Sequence, residues 1–144
     1  MDISELNRLA VNYQCPPDAF KDRIILVTGA GAGIGRAVAL ALAAHGATVV
    51  ISARTQETLE QTAAEINQAV GAQRVHAVAA NAGRKQELEA LVEKTHQLAG
   101  PVDILVGNAG VNVHYGPISE IPDDAYEKTM QVNVQANLWL ARLV

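Results

Sequence analysis

The chain has 144 residues, 49% of them hydrophobic and 18% charged, with a formal net charge of −4 at pH 7. This composition excludes a disordered chain and suits one domain with a sizeable core, and the acidic balance gives no electrostatic reason to bind nucleic acid or an anionic membrane. The one cysteine, Cys15, excludes an internal disulfide and fits a reducing compartment.

Residues 1–22 precede the first periodic segment. Met1 to Glu5 lacks the basic start and long apolar run of a secretory signal. Arg36, His45 and Arg54 interrupt the longest apolar candidates for a membrane span. A cytoplasmic protein is therefore expected. Asn12 to Pro17 is polar and reads as an irregular, loosely packed arm, with one short amphipathic turn expected at Leu6, Leu9 and Ala10.

From residue 23 the chain alternates between strand and helix patterns. Ile24 to Thr28 is an apolar first strand. After a glycine-rich turn, Ile34, Val38 and Leu42 recur every four residues, predicting a helix over 34–45 with Gly46 as its stop. Residues 47–52 are continuously apolar, as in a buried parallel strand. Leu59, Ala63, Ile66 and Val70 predict a helix over 56–70, ended by Gly71. Residues 74–80 read as a third strand. Leu88, Leu91, Val92, Thr95 and Leu98 predict a helix over 85–99, stopped by Gly100-Pro101. Residues 102–107 form a fourth strand, 110–122 a loop, and 123–144 one long helix whose Asp123 and Asp124 suit the positive end of its dipole. Eight alternating elements with right-handed crossovers predict an α/β fold: a three-layer, Rossmann-type doubly wound parallel sheet over 23–144, strand order 3-2-1-4, with a ligand crevice between strands 1 and 4.

The turn Thr28-Gly29-Ala30-Gly31-Ala32-Gly33-Ile34-Gly35 joins a strand to a helix. In that context bare backbone and a helix N-terminus can cradle a pyrophosphate. The spacing does not fit G-x-G-x-x-G, because starting at Gly31 and Gly33 leaves Arg36 in the last place. It fits T-G-x-x-x-G-x-G through Thr28, Gly29, Gly33 and Gly35; Gly31 and Ile34 lie within the same cradle. A glycine turn without a ligand is the plain alternative. The second strand ends in Ser52-Ala53-Arg54-Thr55, with no acid until Glu57. An acid there would accept from the ribose 2′-OH of NAD, whereas Arg54 can pair with the 2′-phosphate of NADP. NADP(H) is thus favoured over NAD(H), the alternative being a solvated arginine at a strand end.

The T-G-x-x-x-G-x-G spacing resembles the short-chain dehydrogenase/reductase family, and three later segments strengthen the likeness. Asn81 ends the third strand where the family usually has an aspartate on the adenine; the resemblance makes it a cofactor contact, though a turn asparagine fits equally. Gly107-Asn108-Ala109-Gly110 resembles the family's Asn-Asn-Ala-Gly, with Gly107 in place of the first Asn. There Asn108 is expected to pair with neighbouring strands and Ala109 and Gly110 to leave room for the cofactor. Gln131-Val132-Asn133-Val134 resembles the segment whose asparagine supports a proton relay, which makes Asn133 the catalytic candidate.

The likeness runs from about Phe20 to Val144 and implies the cofactor-binding portion of an oxidoreductase. Its reaction would be hydride transfer between NADP(H) and a small carbonyl or alcohol substrate. The family's serine and Tyr-x-x-x-Lys pair do not occur in these residues: Tyr13, Tyr115 and Tyr126 are followed four positions on by Pro17, Ser119 and Met130. A fragment, inactive alone, is expected. A self-contained, non-catalytic nucleotide-binding or regulatory module is the alternative, and the coding sequence after codon 144 discriminates the two. His114 and Tyr115 form a loop pair that reads as solvated rather than catalytic. His45, His76, His96, His114 and Cys15 show no metal-ligand spacing. A homo-oligomer is expected, through an exposed fourth strand and through Val132, Leu138, Trp139 and Leu143 on the last helix.

Overall fold

Alternation along β1 (Ile24–Thr28) sets the layers of the fold. Successive side chains of a strand point to opposite faces. Ile25 and Val27 accordingly enter one core with Ala39, Leu59 and Ile66, while Leu26 enters the other with Leu88, Leu91 and Leu140. The computed structural model describes residues 14–144, and the turn expected at Leu6, Leu9 and Ala10 lies outside them. The remaining strands are β2 (Thr48–Ser52), β3 (Val75–Ala77) and β4 (Ile104–Val106). All pairings are parallel and the order is β3-β2-β1-β4, as expected of a Rossmann-type sheet. Helices α1 (Gly33–Ala44) and α2 (Gln56–Val70) cover one face, and α3 (Lys85–Leu98) and α5 (Ala136–Leu143) the other. Ile25, Leu26 and Val27 are fully buried, each contributing about 1.5–3 kcal/mol, so central β1 anchors both cores.

Four expectations change. The face that α1 turns to the sheet is Gly35, Ala39 and Ala43, not Ile34, Val38 and Leu42. Ile34 is 76% exposed, and Val38 and Leu42 flank the contact half-buried. Small residues let the helix approach the strands closely, and the branched ones fill the sides.

The third strand is shorter than 74–80 as a ladder. Its hydrogen bonding nevertheless continues, Val78 N–H donating to Ile51 at 3.0 Å and Ala80 N–H to Ala53 at 2.9 Å. The fourth likewise narrows to three residues.

The last helix is not uniform. It runs as α4 (Asp123–Met130), a π turn over Gln131–Gln135, then α5. The π turn rotates the chain so that Val132, expected at the surface, is buried at 5% exposure. Trp139 and Leu143 pack half-buried against the second core, while Leu138 remains 49% exposed.

The expected arm is packed over its last turn. Phe20 leans on the first core and its N–H donates to His45 at 2.9 Å. No helix among the described residues is long and apolar enough to cross a membrane.

Candidate functional site: the cleft at the strand ends

The C-terminal ends of β1, β2, β3 and β4 open on a cleft of about 380 Å³. Its floor is Thr28, Gly29 and Gly31; Ser52 to Thr55 and Thr58 form one wall, Ala80 to Ala82 and Leu88 a second, and Ala109 to Val111 a third, with Lys128 and Val132 closing it from α4 and the π turn.

The glycine turn is held from beneath. Thr28, 3% exposed, accepts the Ala109 N–H on Oγ1 at 3.1 Å. Asn108 Nδ2 donates to the carbonyls of Thr28 at 3.0 Å and Gly29 at 3.1 Å. Thr62 of α2 donates to the Gly31 carbonyl at 3.1 Å. These bonds explain two of the glycines. A Cβ on Gly29 would lie 2.8 Å from Ala109 Cα, and one on Gly35 would lie 2.5 Å from the Gly29 carbonyl oxygen. Both are glycine because the turn packs hard against the end of β4. Gly33 shares a positive φ with Gly29, +56° against +67°, but a Cβ there would meet nothing within 4 Å. Its open side, at the N-terminus of α1, is where an anion can reach unpaired N–H groups.

Arg54 is exposed at the end of β2 and makes no hydrogen bond or ion pair among the described residues. Its guanidinium is therefore available to a ligand. Among the described residues that line the cleft, two are charged, Arg54 and Lys128, and both are cations. Such a cleft attracts a polyanion. Asn81 also lines it. Its Oδ1 accepts the Gly83 N–H at 3.0 Å, and its own N–H donates to Glu87 at 2.7 Å. That bond, with Arg84 beside it, holds the Glu87 carboxyl below the usual carboxylate range. The Asn81 Nδ2 has no partner among the described residues and can donate to a ligand.

The structure therefore brings Thr28, Gly29, Gly31, Arg54, Asn81, Ala109 and Gly110 into one cleft. Gly33 and Ile34 do not line it but follow Ala32, which does, and Gly35 and Asn108 pack against Gly29 of its floor. Asn133 does not line the cleft. Its Oδ1 accepts the Val111 N–H at 2.8 Å and its Nδ2 donates to the Val111 carbonyl at 2.9 Å. His114 and Tyr115 do not line it either; Tyr115 is 86% exposed, and His114 Nε2 is buried without a partner among the described residues. Three or more His, Cys, Asp or Glu residues suited to a metal ion do not cluster among the described residues.

The sequence reading missed Ser52, Thr58, Lys128 and Val132. Ser52 and Thr58 were legible as neighbours of Arg54. No local pattern marked Lys128, which reaches the cleft from α4, where a Cβ on Gly83 would stand 3.0 Å from its ammonium.

Comparison with known proteins agrees with this geometry. The family model for short chain dehydrogenases matches residues 23–144. Human dehydrogenase/reductase SDR family member 4 is 34% identical over 137 residues, covering 95% of this chain and 49% of that protein. The structure of an oxidoreductase from Escherichia coli superposes with a TM-score of 0.82 at 34% identity, covering 92% of this chain and 55% of that one. An Escherichia coli CFT073 structure described as a short chain dehydrogenase complexed with NADPH superposes at 0.80 with 34% identity, covering 90% and 54%. The chain spans about half the length of the relatives it matches. It belongs to the short-chain dehydrogenase family.

Proposed function

We propose that this member of the short-chain dehydrogenase family is the NADP(H)-binding portion of an oxidoreductase acting on small carbonyl or alcohol substrates. The observation that carries the preference for NADP is Arg54: a cation with no partner among the described residues, at the end of β2, where an acid would be needed to accept from a ribose 2′-OH. The neighbouring NADPH complex of a 34% identical protein supports the reading.

The residues present fit such a cofactor. The open face of Gly33 and the N-terminus of α1 would take the pyrophosphate, Arg54 a 2′-phosphate, and the Asn81 amide the adenine edge. Nicotinamide, when bound, supplies hydride chemistry. Ala109, Gly110 and Val111 would wall the end of the site beside β4, their small side chains leaving room against the strand. Asn133 would act by holding that wall, since both ends of its amide are engaged by Val111. Nothing among the described residues favours the non-catalytic alternative over this reading.

The test is a titration of the protein with NADPH and NADH, followed by cofactor fluorescence, for the native chain and Arg54→Ala. Selective weakening of NADPH supports the proposal. Equal losses for both, or no loss, remove it.

A further inference from the structure

Gly107 is where this chain departs from Asn-Asn-Ala-Gly, and another residue occupies the space that an asparagine side chain would leave the strand to fill. The three atoms nearest a Cβ built on Gly107 all belong to Asn137, and such a Cβ would overlap Asn137 Oδ1. Asn137 lies half-buried on α5, thirty residues further along the chain. Its other end is also engaged: Nδ2 donates to the backbone carbonyl of Asn133 at 2.9 Å.

That carbonyl belongs to the π turn. Asn137 is four residues after Asn133. Asn133 in turn grips Val111 through both its N–H and its carbonyl, at 2.8 and 2.9 Å. Val111 lines the cleft. A continuous run of contacts thus leads from the end of β4, through Asn137 and Asn133, to the cleft wall.

We infer that Asn137 is a positioning residue for the cofactor cleft, matched to the missing side chain at Gly107: it fills that space, holds the Asn133 carbonyl, and so orients the amide that grips Val111. The inference rests on the proposed function only in calling the Val111 wall part of a dinucleotide site. The bland alternative is a local back-bond from Asn137 to its own helix, a common habit of short polar side chains that reaches no further.

Amide hydrogen exchange at Val111 separates the two. Losing one hydrogen bond in such a relay is worth about tenfold in local opening. Asn137→Ala should therefore speed Val111 exchange about tenfold while Leu26 and Val50, inside the sheet, keep their protection. NADPH affinity should fall severalfold. Asn137→Thr should recover most of the Val111 protection, because a threonine hydroxyl can donate to the carbonyl four residues back. Gly107→Ala should lower the melting temperature and Val111 protection in the native background. In the Asn137→Ala background it should lower the melting temperature much less, since the obstructing amide is gone; this non-additivity is the signature of a matched pair.

Unchanged Val111 exchange in Asn137→Ala, or additive effects of the two substitutions, would overturn the inference. Should Asn137→Ala fail to fold, the Gly107→Ala and Asn137→Thr pair carries the same cycle, and additivity there has the same meaning. Failure of Arg54→Ala to alter NADPH binding would remove the cofactor reading while leaving the exchange result to decide this one.

Discussion

Asn108 Nδ2 donates to the carbonyl oxygen of Thr28 at 3.0 Å, across eighty residues of sequence. With its second bond to Gly29 and the Ala109 N–H on Thr28 Oγ1, it ties the end of β4 to the turn after β1. The crevice of an open parallel sheet lies where neighbouring strands diverge, so something must hold the divergent ends in place. Here an amide does so by donating twice.

Asn108→Ala should cost about 1–3 kcal/mol of stability, the range for leaving part-buried carbonyls unpaired. Asn108→Asp should cost more at neutral pH, because a carboxylate cannot donate and would face two carbonyl oxygens. Urea denaturation of the three proteins checks the order native, Ala, Asp. An aspartate variant as stable as the native protein would show that these bonds do not hold the turn.

Arg54→Ala should weaken NADPH binding by about 10- to 100-fold, the equivalent of roughly 1.5–3 kcal/mol for a charge-assisted hydrogen bond. NADH affinity should barely move. Raising the salt concentration should narrow the preference of the native protein for NADPH, since an exposed ion pair is screened.

Gly33 and Gly35 should fail in different ways. Gly33→Val places a branched side chain on open backbone at φ +56°. It should lose binding of both cofactors, at a strain cost of about 1–3 kcal/mol. Gly35→Ala drives a methyl group to 2.5 Å from the Gly29 carbonyl oxygen and 2.6 Å from Asn108 Nδ2, so its main effect should be on folding. Circular dichroism melts beside NADPH titrations distinguish the two. A Gly33→Val protein that binds NADPH normally would end the assignment of the cradle.

Asp103 should give the fold an acid-sensitive joint. Its Oδ2 accepts the Ile24 N–H at 2.8 Å and its Oδ1 pairs with Arg23 at 3.1 Å. The Ile24 N–H first, and Arg23 after it, hold the carboxyl below its ordinary value. A carboxyl depressed in the folded state adds stability above its unfolded pKa of about 3.9, and loses it as pH falls through the lower folded value. The native protein should therefore lose stability relative to Asp103→Asn below about pH 4, and hold its advantage unchanged near neutrality. Parallel curves for the two proteins from pH 7 to 3 would deny the joint.

The sequence by itself determined the alternation of strands and helices, the strand order and the position of the crevice. Periodicity is a local property: Leu59, Ala63 and Ile66 recur on one helical face whatever lies opposite. Right-handed crossovers then put helices on both faces of a parallel sheet, and the Rossmann-type turn after the first strand selects the order 3-2-1-4. The turn spacing, Arg54 at a strand end and Asn108 before a small-residue turn were legible for the same reason, since each is a short stretch with its own chemistry.

Tertiary structure alone decided which glycines support and which one stays open. Gly29 and Gly35 are set by Asn108 and Ala109, seventy to eighty residues away, and no local pattern carries that distance. The same holds for α1, whose periodic Ile34 is exposed because the small face Gly35, Ala39 and Ala43 packs closer to the sheet. The π turn, the burial of Val132, the arrival of Lys128 over Gly83 and the meeting of Gly107 with Asn137 are likewise products of close packing. Spacing along a chain encodes which face a residue takes; how near two faces come depends on the volumes of residues that only the fold brings together.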